Sequence, residues 1–266
     1  FGKGAMLLNE KNERFMEKFP RKELETRDIL SYSMFKQAKV LLNFSNVSEA
    51  DIEKDSPHLY RLYKKGYEGE WVMSPVQHYC MGGIETDEWG RTNIAGLYAC
   101  GECSGGLHGA NRLGGGSLTE ALVFGCRTGK MAAKEKDHVQ INQSGISYDD
   151  IYFTAGDSSE INESEVIRKI KEIMWEKVGI ERTTQSLKEA AEELEKLALK
   201  LEKTEGLTSV RLQDKVRVAW ACALAGSLRQ ESRGAHKVQD YKEESKQWEK
   251  KITICKHGDG SPVSAI

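Results

Sequence analysis

The sequence has no long apolar run and no excess of charge of one sign. Its best apolar stretch, residues 218–225, falls far short of the roughly 20 residues that a helix needs to cross a bilayer. The 39 Lys and Arg residues are balanced by 41 Asp and Glu residues, which gives a formal net charge of −2. We therefore expect a soluble, globular protein that does not insert into a membrane directly and does not bind nucleic acid through a broad basic surface.

The N-terminus lacks the pattern of a secretory signal peptide, and the cysteines do not suggest an oxidising compartment. Six cysteines are scattered along a chain of 266 residues, which is too large to need disulfide staples. Cys100 and Cys103 form a Cys-x-x-Cys pair, but no second pair follows at zinc spacing. A packed cysteine beside a loop cysteine is favoured over a metal or redox site, and we expect a cytoplasmic protein without a metal.

The residue type that is abundant is glycine, and it is concentrated between residues 96 and 120. A brief apolar strand is predicted at 97–100, followed by a glycine-rich loop and a helix that begins at Ser117 with Glu120 as its capping-box partner. The free N–H groups of that helix would point back into the loop, where a ring edge or an anion binds well. Arg112 and His108 are the polar ligands within the loop.

Several blocks in this region and outside it carry a family resemblance. They are His-Tyr-Cys-Met-Gly-Gly-Ile at 78–84, Leu-Tyr-Ala-Cys-Gly-Glu at 97–102, His-Gly-Ala-Asn-Arg-Leu-Gly-Gly-Gly-Ser-Leu at 108–118, and further matches at 2–16, 23–28 and 231–236. Together they resemble the flavoprotein subunit of succinate dehydrogenase and fumarate reductase, whose relatives include L-aspartate oxidase. The blocks occur in family order over nearly the whole chain.

The resemblance implies a cofactor and a substrate class. FAD is the implied cofactor, with Glu102 on its polyol or sugar hydroxyls and the backbone of Ser117 and Leu118 at the pyrimidine edge of the flavin. The implied substrate is a dicarboxylate, fumarate or succinate, held by His78 and Arg112. An iron–sulfur subunit is a candidate partner, through which the protein would sit at the inner face of a membrane.

Arg27 aligns with the catalytic arginine that transfers a proton in this family. On local context alone, an exposed arginine at a helix start is the better interpretation, and only the Glu-Leu-Glu-Thr-Arg-Asp match at 23–28 reverses it. The same holds for His78, because a lone histidine is usually a hydrogen-bonded structural residue. Its neighbours Gly82 and Gly83, which permit close backbone approach, strengthen the functional interpretation.

Together with the family resemblance, the pattern of the chain predicts an α+β protein in three parts. The resemblance implies that residues 1–70 are the remainder of a capping domain that closes over the substrate. It also implies that residues 71–136 are the C-terminal segment of an FAD-binding α/β domain. Residues 137–266 form a C-terminal helical domain, an antiparallel bundle of helices at 162–178, 184–203 and 208–230 with a charged tail that ends in a short loop-like run at 258–262.

One family feature is missing from the sequence. No Gly-x-Gly-x-x-Gly occurs anywhere, so the dinucleotide-binding unit that grips the ADP half of FAD is absent, and so is the segment that attaches flavin covalently in membrane-bound members. We expect the chain to be a fragment of a longer flavoprotein, the alternative being that a separate chain supplies the other half. By itself the chain is expected to be inactive.

Two other functions remain open. L-aspartate oxidase shares the two arginines and the histidine, although the run Leu-Gly-Gly-Gly at 113–116 is less polar than the one we associate with that enzyme. A non-catalytic helical interaction module is the third interpretation, in which the glycine loop is only structural.

Overall fold

The computed structural model describes residues 1–66, 70–135, 162–202, 204, 206–256 and 262–265. The chain divides into two compact units, Phe1–His78 and Tyr79–Ile266. Residues 138–150, whose polar composition predicts a linker, lie outside the described residues. In the described ranges, no helix is both long enough and apolar enough to span a membrane. The predicted division into three domains remains a prediction.

The first unit combines a two-stranded sheet with three helices. Strands β1 (Met6–Asn9) and β2 (Val40–Asn43) pair antiparallel, with Met6 opposite Asn43. Between them lie two short 3₁₀ turns and helix α1 (Arg27–Phe35), and after them come α2 (Glu49–Asp55) and α3 (Pro57–Lys64). Ser48 caps α2 by accepting a hydrogen bond from the Asp51 N–H, and Pro57 occupies the first position of α3, where a missing N–H costs nothing.

A small apolar core holds the sheet and α1 together. It is formed by five buried side chains, Leu7, Met16, Leu30, Met34 and Val40. At its edge, the buried Glu23 accepts two hydrogen bonds from Arg14, at 3.0 and 2.7 Å, and one from the Leu7 N–H at 3.1 Å. Burial acts to raise the pKa of Glu23, but these hydrogen bonds outweigh burial and lower it. Arg14 and Glu23, which belong to the matching blocks at 2–16 and 23–28, therefore have a structural role.

The second unit begins with an extended segment and a tight turn. The carbonyl of Asp87 accepts a hydrogen bond from the Gly90 N–H, and Gly90 has a φ of +80°, a conformation that favours glycine. The strand predicted at 97–100 is not formed: Tyr98 makes only an isolated bridge with Arg91. A 3₁₀ turn at Gly101–Cys103 follows, and then α4 (Gly116–Glu135).

Three helices in the later part of the second unit confirm the predicted bundle elements. They are α5 (Glu163–Lys177), α6 (Thr184–Leu201) and α7 (Leu207–Leu228), and each packs against the other two. The side chain of Asn162 caps α5, and Thr183 forms a capping box with Ser186 at the start of α6. The charged tail, for which no strands were predicted, contains strands β3 (Thr253–Lys256) and β4 (Pro262–Ala265), which pair antiparallel.

The apolar faces of these helices form one core. Ten of its buried members are Ile173, Val178, Leu187, Ala190, Ala191, Leu194, Leu201, Leu212, Val216 and Ala223. Leu187, Leu194 and Leu201, which recur every seven residues along α6, thus pack inside the unit, as expected for the core of a helical bundle. Because Leu194 is fully buried and Leu199 on the same helix is 55% exposed, the two leucines offer a matched test of this core.

We expect Leu194→Ala to destabilise the protein by about 2–5 kcal/mol, because the substitution leaves a cavity that the surrounding helices fill only in part. Leu199→Ala removes the same atoms from the surface and should change stability by no more than about 0.5 kcal/mol. Urea unfolding followed by circular dichroism measures both. Equal losses in the two variants would contradict the assignment of this helical core.

Candidate functional site

Arg112 lies at the centre of a group of contacts in the glycine-rich loop. Its guanidinium carbon is 4.8 Å from the centre of the Tyr79 ring. Nη1 donates to the Leu113 carbonyl at 3.1 Å, and the backbone N–H donates to the Met81 sulfur at 3.1 Å. Among the described residues, the buried Nε of Arg112 has no hydrogen-bond partner. The guanidinium therefore rests on an aromatic face with one buried donor unused.

The residue that holds Tyr79 is Glu120 on α4. Its side chain is only 4% exposed, and its Oε2 accepts from the Tyr79 hydroxyl at 2.7 Å and lies 2.8 Å from His108 Nε2. The predicted capping box assigned this glutamate to the helix start, whereas the structure begins α4 at Gly116 and directs the carboxylate to these two side chains. His108, predicted as a polar ligand within the loop, is thus paired with Glu120.

The Tyr79 ring is restrained from a second side. The His108 ring packs edge-to-face against it, with centroids 5.3 Å apart and planes at 81°. Burial, followed by the hydrogen bond to Glu120, raises the pKa of Tyr79 to about 12. The phenol consequently stays protonated at neutral pH and can act as the donor to the Glu120 carboxylate.

The segment that contains Tyr79 is attached to the loop through its backbone. The Ile84 N–H donates to the Cys103 carbonyl at 2.8 Å, and the Gly105 N–H donates to the Ile84 carbonyl at 3.0 Å. A Cβ on Gly83 would lie 2.5 Å from the Cys103 oxygen, closer than real contacts allow. Close backbone approach was predicted for Gly82 and Gly83. At Gly83 the approaching group is the Cys103 carbonyl of the same chain.

Glu102, the predicted ligand of cofactor hydroxyls, takes part in the same attachment. It lies in the 3₁₀ turn with an exposed side chain, and its Oε1 accepts from the Cys80 N–H at 2.9 Å. One oxygen of the carboxylate is therefore engaged by the protein backbone. The predicted role of Glu102 toward a cofactor stays a prediction.

The Cys-x-x-Cys pair makes a local backbone contact. Cys103 Sγ donates to the Cys100 carbonyl at 3.3 Å, and both thiols are free. Cys100 is partly buried and Cys103 is exposed, as expected for a packed cysteine beside a loop cysteine.

The start of α4 presents an open surface. Gly115 has a φ of +80°, and neither Gly114 nor Gly115 has a neighbour within 4 Å of an added Cβ. Leu118 in the first turn is 74% exposed, and Ser117 is partly buried. This 20-residue helix therefore offers free N–H groups beside exposed apolar surface, which suits a flat heterocycle with a polar edge.

The block at 231–236, for which sequence reasoning assigned no role, packs onto the same loop. The Ala235 N–H donates to the Ala110 carbonyl at 2.9 Å. Gly234 has a φ of +55°, and a Cβ there would lie 2.4 Å from the Ala110 oxygen. Only glycine fits this position, which joins the end of the helical bundle to the loop two residues before Arg112.

Glu231 fixes the shape of that block. It is fully buried and accepts hydrogen bonds from Arg229, Arg233 and the Ser245 N–H, at 2.7 to 3.0 Å. Burial acts to raise the pKa of Glu231, but these bonds outweigh it and lower the pKa to about 2. The two arginines in this block are thus structural partners of a buried carboxylate.

Arg27 and His78 belong to the first unit. Arg27 is exposed and is the first residue of α1, where the helix dipole disfavours a cation. A residue that opposes a local preference in this way fits a functional role better than a stabilising one. His78 is exposed at the end of the unit. Within the second unit, Arg112 contacts Tyr79, Met81 and Leu113, and the roles of Arg27 and His78 stay predictions.

Comparison with known families gives two matches along the chain. The FAD binding domain family matches residues 1–118, and the family described as the fumarate reductase flavoprotein C-term matches residues 167–264. The FAD cofactor implied by the sequence resemblance is thereby confirmed. The open helix start and the exposed Glu102 described above are compatible with that cofactor.

Individual relatives point in the same direction. The chain is 34% identical to a subunit of the fumarate reductase (CoM/CoB) of Methanothermobacter marburgensis, over 95% of this chain and 51% of the relative. It is 32% identical to the L-aspartate oxidase of Pyrococcus horikoshii, over 90% of this chain and 47% of the relative. A solved quinol–fumarate reductase with menaquinol molecules superposes with a TM-score of 0.84, at 25% identity, over 99% of this chain and 55% of that one. The chain spans about half the length of these relatives.

We expect Glu102→Ala to weaken FAD binding by the complete protein at least about tenfold, because charge-assisted hydrogen bonds to hydroxyls are lost. Glu102→Gln keeps an oxygen that can accept from the Cys80 N–H. If this variant also loses flavin, the cause is a lost contact with the cofactor and not a lost backbone hydrogen bond. Flavin absorbance per mole of protein measures both. Glu88→Ala, at another exposed glutamate of the second unit, is the control, and full flavin content in Glu102→Ala would contradict the assignment.

Proposed function

The chain belongs to the flavoprotein family of fumarate reductase, succinate dehydrogenase and L-aspartate oxidase, and from this premise we propose that it is the C-terminal part of an enzyme that interconverts fumarate and succinate. The enzyme would bind the dicarboxylate through Arg112 and His78 and use Arg27 to transfer a proton. An iron–sulfur subunit is its candidate electron partner, and the inner face of a membrane is its candidate location. Each of these statements concerns the complete protein.

The unused donor of Arg112 is the observation that carries this proposal. A buried N–H without a partner costs about 1–3 kcal/mol, and Nε of Arg112 is in this position among the described residues. A guanidinium binds a carboxylate through two parallel N–H groups, and a lysine cannot reproduce that geometry. A substrate carboxylate on the Nε edge would satisfy the unused donor.

The residues at the start of α4 fit the flavin of FAD. The backbone of Ser117 and Leu118 would hold its polar edge, the exposed side chain of Leu118 would lie against apolar surface, and Glu102 would bind hydroxyl groups. When bound, FAD supplies the hydride transfer that no side chain can perform. The positive end of the α4 dipole favours negative charge at that edge.

The protein residues have separate tasks around the substrate. Arg112 and His78 would fix the two carboxylates and so hold the central carbon pair in one orientation. Arg27 would place a proton donor at one carbon of that pair. Because a guanidinium holds its proton tightly, Arg27 would deliver protons that a neighbouring acid replaces.

L-aspartate oxidase is the second candidate, favoured by the relative at 32% identity. The Leu-Gly-Gly-Gly run at 113–116 favours the enzyme that acts on fumarate and succinate over L-aspartate oxidase. Steady-state assays of the complete protein with fumarate, succinate and L-aspartate separate the two candidates. Turnover of succinate or fumarate supports the proposal, whereas oxidation of L-aspartate alone replaces it with the second candidate. Absence of flavin from the complete protein would leave only a non-catalytic interaction module.

In the complete protein, Arg112→Ala and His78→Ala should each weaken dicarboxylate binding by about tenfold to several hundredfold, because a charge-assisted contact is lost. Flavin content should stay largely intact. Titration of the flavin absorbance with succinate measures the affinity. Arg127→Ala is a matched control, since Arg127 also lies over an aromatic ring, 4.9 Å from Phe124, and binds a backbone carbonyl. Unchanged affinity in both test variants would remove the two residues from the site.

Arg27→Lys should lower kcat at least about a thousandfold, equal to roughly 4 kcal/mol in the transition state, with a much smaller change in substrate affinity. Lysine keeps the charge but loses the geometry for proton delivery. Flavin reduction by an artificial donor should survive. Arg21→Lys, at another exposed arginine of the first unit, is the control. Wild-type turnover, or a defect confined to KM, would show that Arg27 does not deliver the proton.

A further inference from the structure

We propose that Tyr79 is a positioning residue for Arg112: its aromatic face sets the plane of the guanidinium, and Glu120 together with His108 sets the plane of the tyrosine ring. The inference rests on the proposed function, because it takes Arg112 as the ligand of a substrate carboxylate. It adds Tyr79 and Glu120, to which neither the sequence patterns nor the family comparisons assign a role in substrate binding, and it gives His108 a supporting role in place of that of a ligand.

The first step concerns how Arg112 is held. In the described part of the chain no carboxylate forms an ion pair with Arg112, and its guanidinium rests instead on the Tyr79 face at 4.8 Å. An aromatic face attracts a cation without occupying its N–H groups. A carboxylate partner from the protein would occupy the donors that the substrate needs. The aromatic support therefore orients Arg112 without using its N–H donors, and the buried Nε has no hydrogen-bond partner among the described residues.

The second step concerns how Tyr79 itself is held. A ring that only lay beneath the guanidinium could rotate, but the Tyr79 hydroxyl is bound to Glu120 at 2.7 Å and the His108 ring packs edge-to-face against it at 5.3 Å. Glu120 is buried and lies in the second turn of α4, a rigid element. α4 therefore fixes the orientation of Arg112 through the Glu120 carboxylate and the Tyr79 side chain.

The third step concerns why tyrosine is required at position 79. Phenylalanine would keep the aromatic face but would leave Glu120 with a lost hydrogen bond in a buried place, where the loss of a partner is costly. Leucine would remove both the face and the anchor. The two substitutions therefore separate the contact with the guanidinium from the anchoring of the ring.

The test is a double-mutant cycle in the complete, flavin-loaded protein. Succinate affinity is measured from the flavin absorbance for wild type, Tyr79→Leu, Tyr79→Phe, Arg112→Ala and the two double variants. We expect Tyr79→Leu to weaken binding by about fivefold to thirtyfold and Tyr79→Phe by about twofold to tenfold. In the Arg112→Ala background neither change at Tyr79 should weaken binding further, because a positioning residue acts only through Arg112.

The control is Tyr98→Phe, which removes an equivalent hydroxyl contact with a glutamate, Glu135, on the same helix. It should leave succinate affinity unchanged. Flavin content and thermal midpoint are recorded for every variant, and if Tyr79→Leu fails to retain flavin, the cycle with Tyr79→Phe decides.

The outcomes distinguish the two proposals. A flavin-loaded wild type that binds neither succinate nor fumarate would overturn the proposed function and, with it, this inference. Binding that depends on Arg112, together with Tyr79 effects that add to those of Arg112→Ala, would overturn only the positioning role and show a general structural one. Full affinity in both Tyr79 variants would overturn it as well.

Discussion

The arrangement of the second unit depends on the buried carboxylate of Glu120. A carboxylate removed from water has to be satisfied by hydrogen bonds, and Tyr79 and His108 supply them to a single oxygen. This requirement brings together three distant parts of the chain: the extended segment after residue 78, the glycine-rich loop and α4. Arg112 takes its place on the surface that results.

Close backbone contacts at two glycines also attach neighbouring segments to the glycine-rich loop. Gly83 lies against the Cys103 carbonyl, and Gly234 lies against the Ala110 carbonyl, at distances that no side chain would permit. The first contact attaches the Tyr79 segment to the loop, and the second attaches the end of the helical bundle to the same loop. The loop is therefore held on two sides by backbone hydrogen bonds while the start of α4 stays open.

The residues that stabilise the fold and the residues that are expected to be functional lie in different parts of the molecule. The helical bundle and the small core of the first unit bury continuous apolar surface, and the ion pairs of Glu23 and Glu231 lie at structural positions. The expected functional residues lie instead on loops and at helix starts. Arg27 is an example, because it is exposed at the first position of α1, where the helix dipole disfavours a cation.

The sequence by itself determined the family, the FAD cofactor and the three helices of the bundle, because glycine-rich motifs and helical periodicity are local signals that a reader can recognise in order. It also predicted close approach at Gly83. Only the tertiary structure decided that Glu120 binds Tyr79 and His108 instead of capping α4, that residues 97–100 form no strand, and that the tail contains β3 and β4. Each of these outcomes depends on a partner far away in sequence, and no local pattern identifies which partner a buried polar group will find.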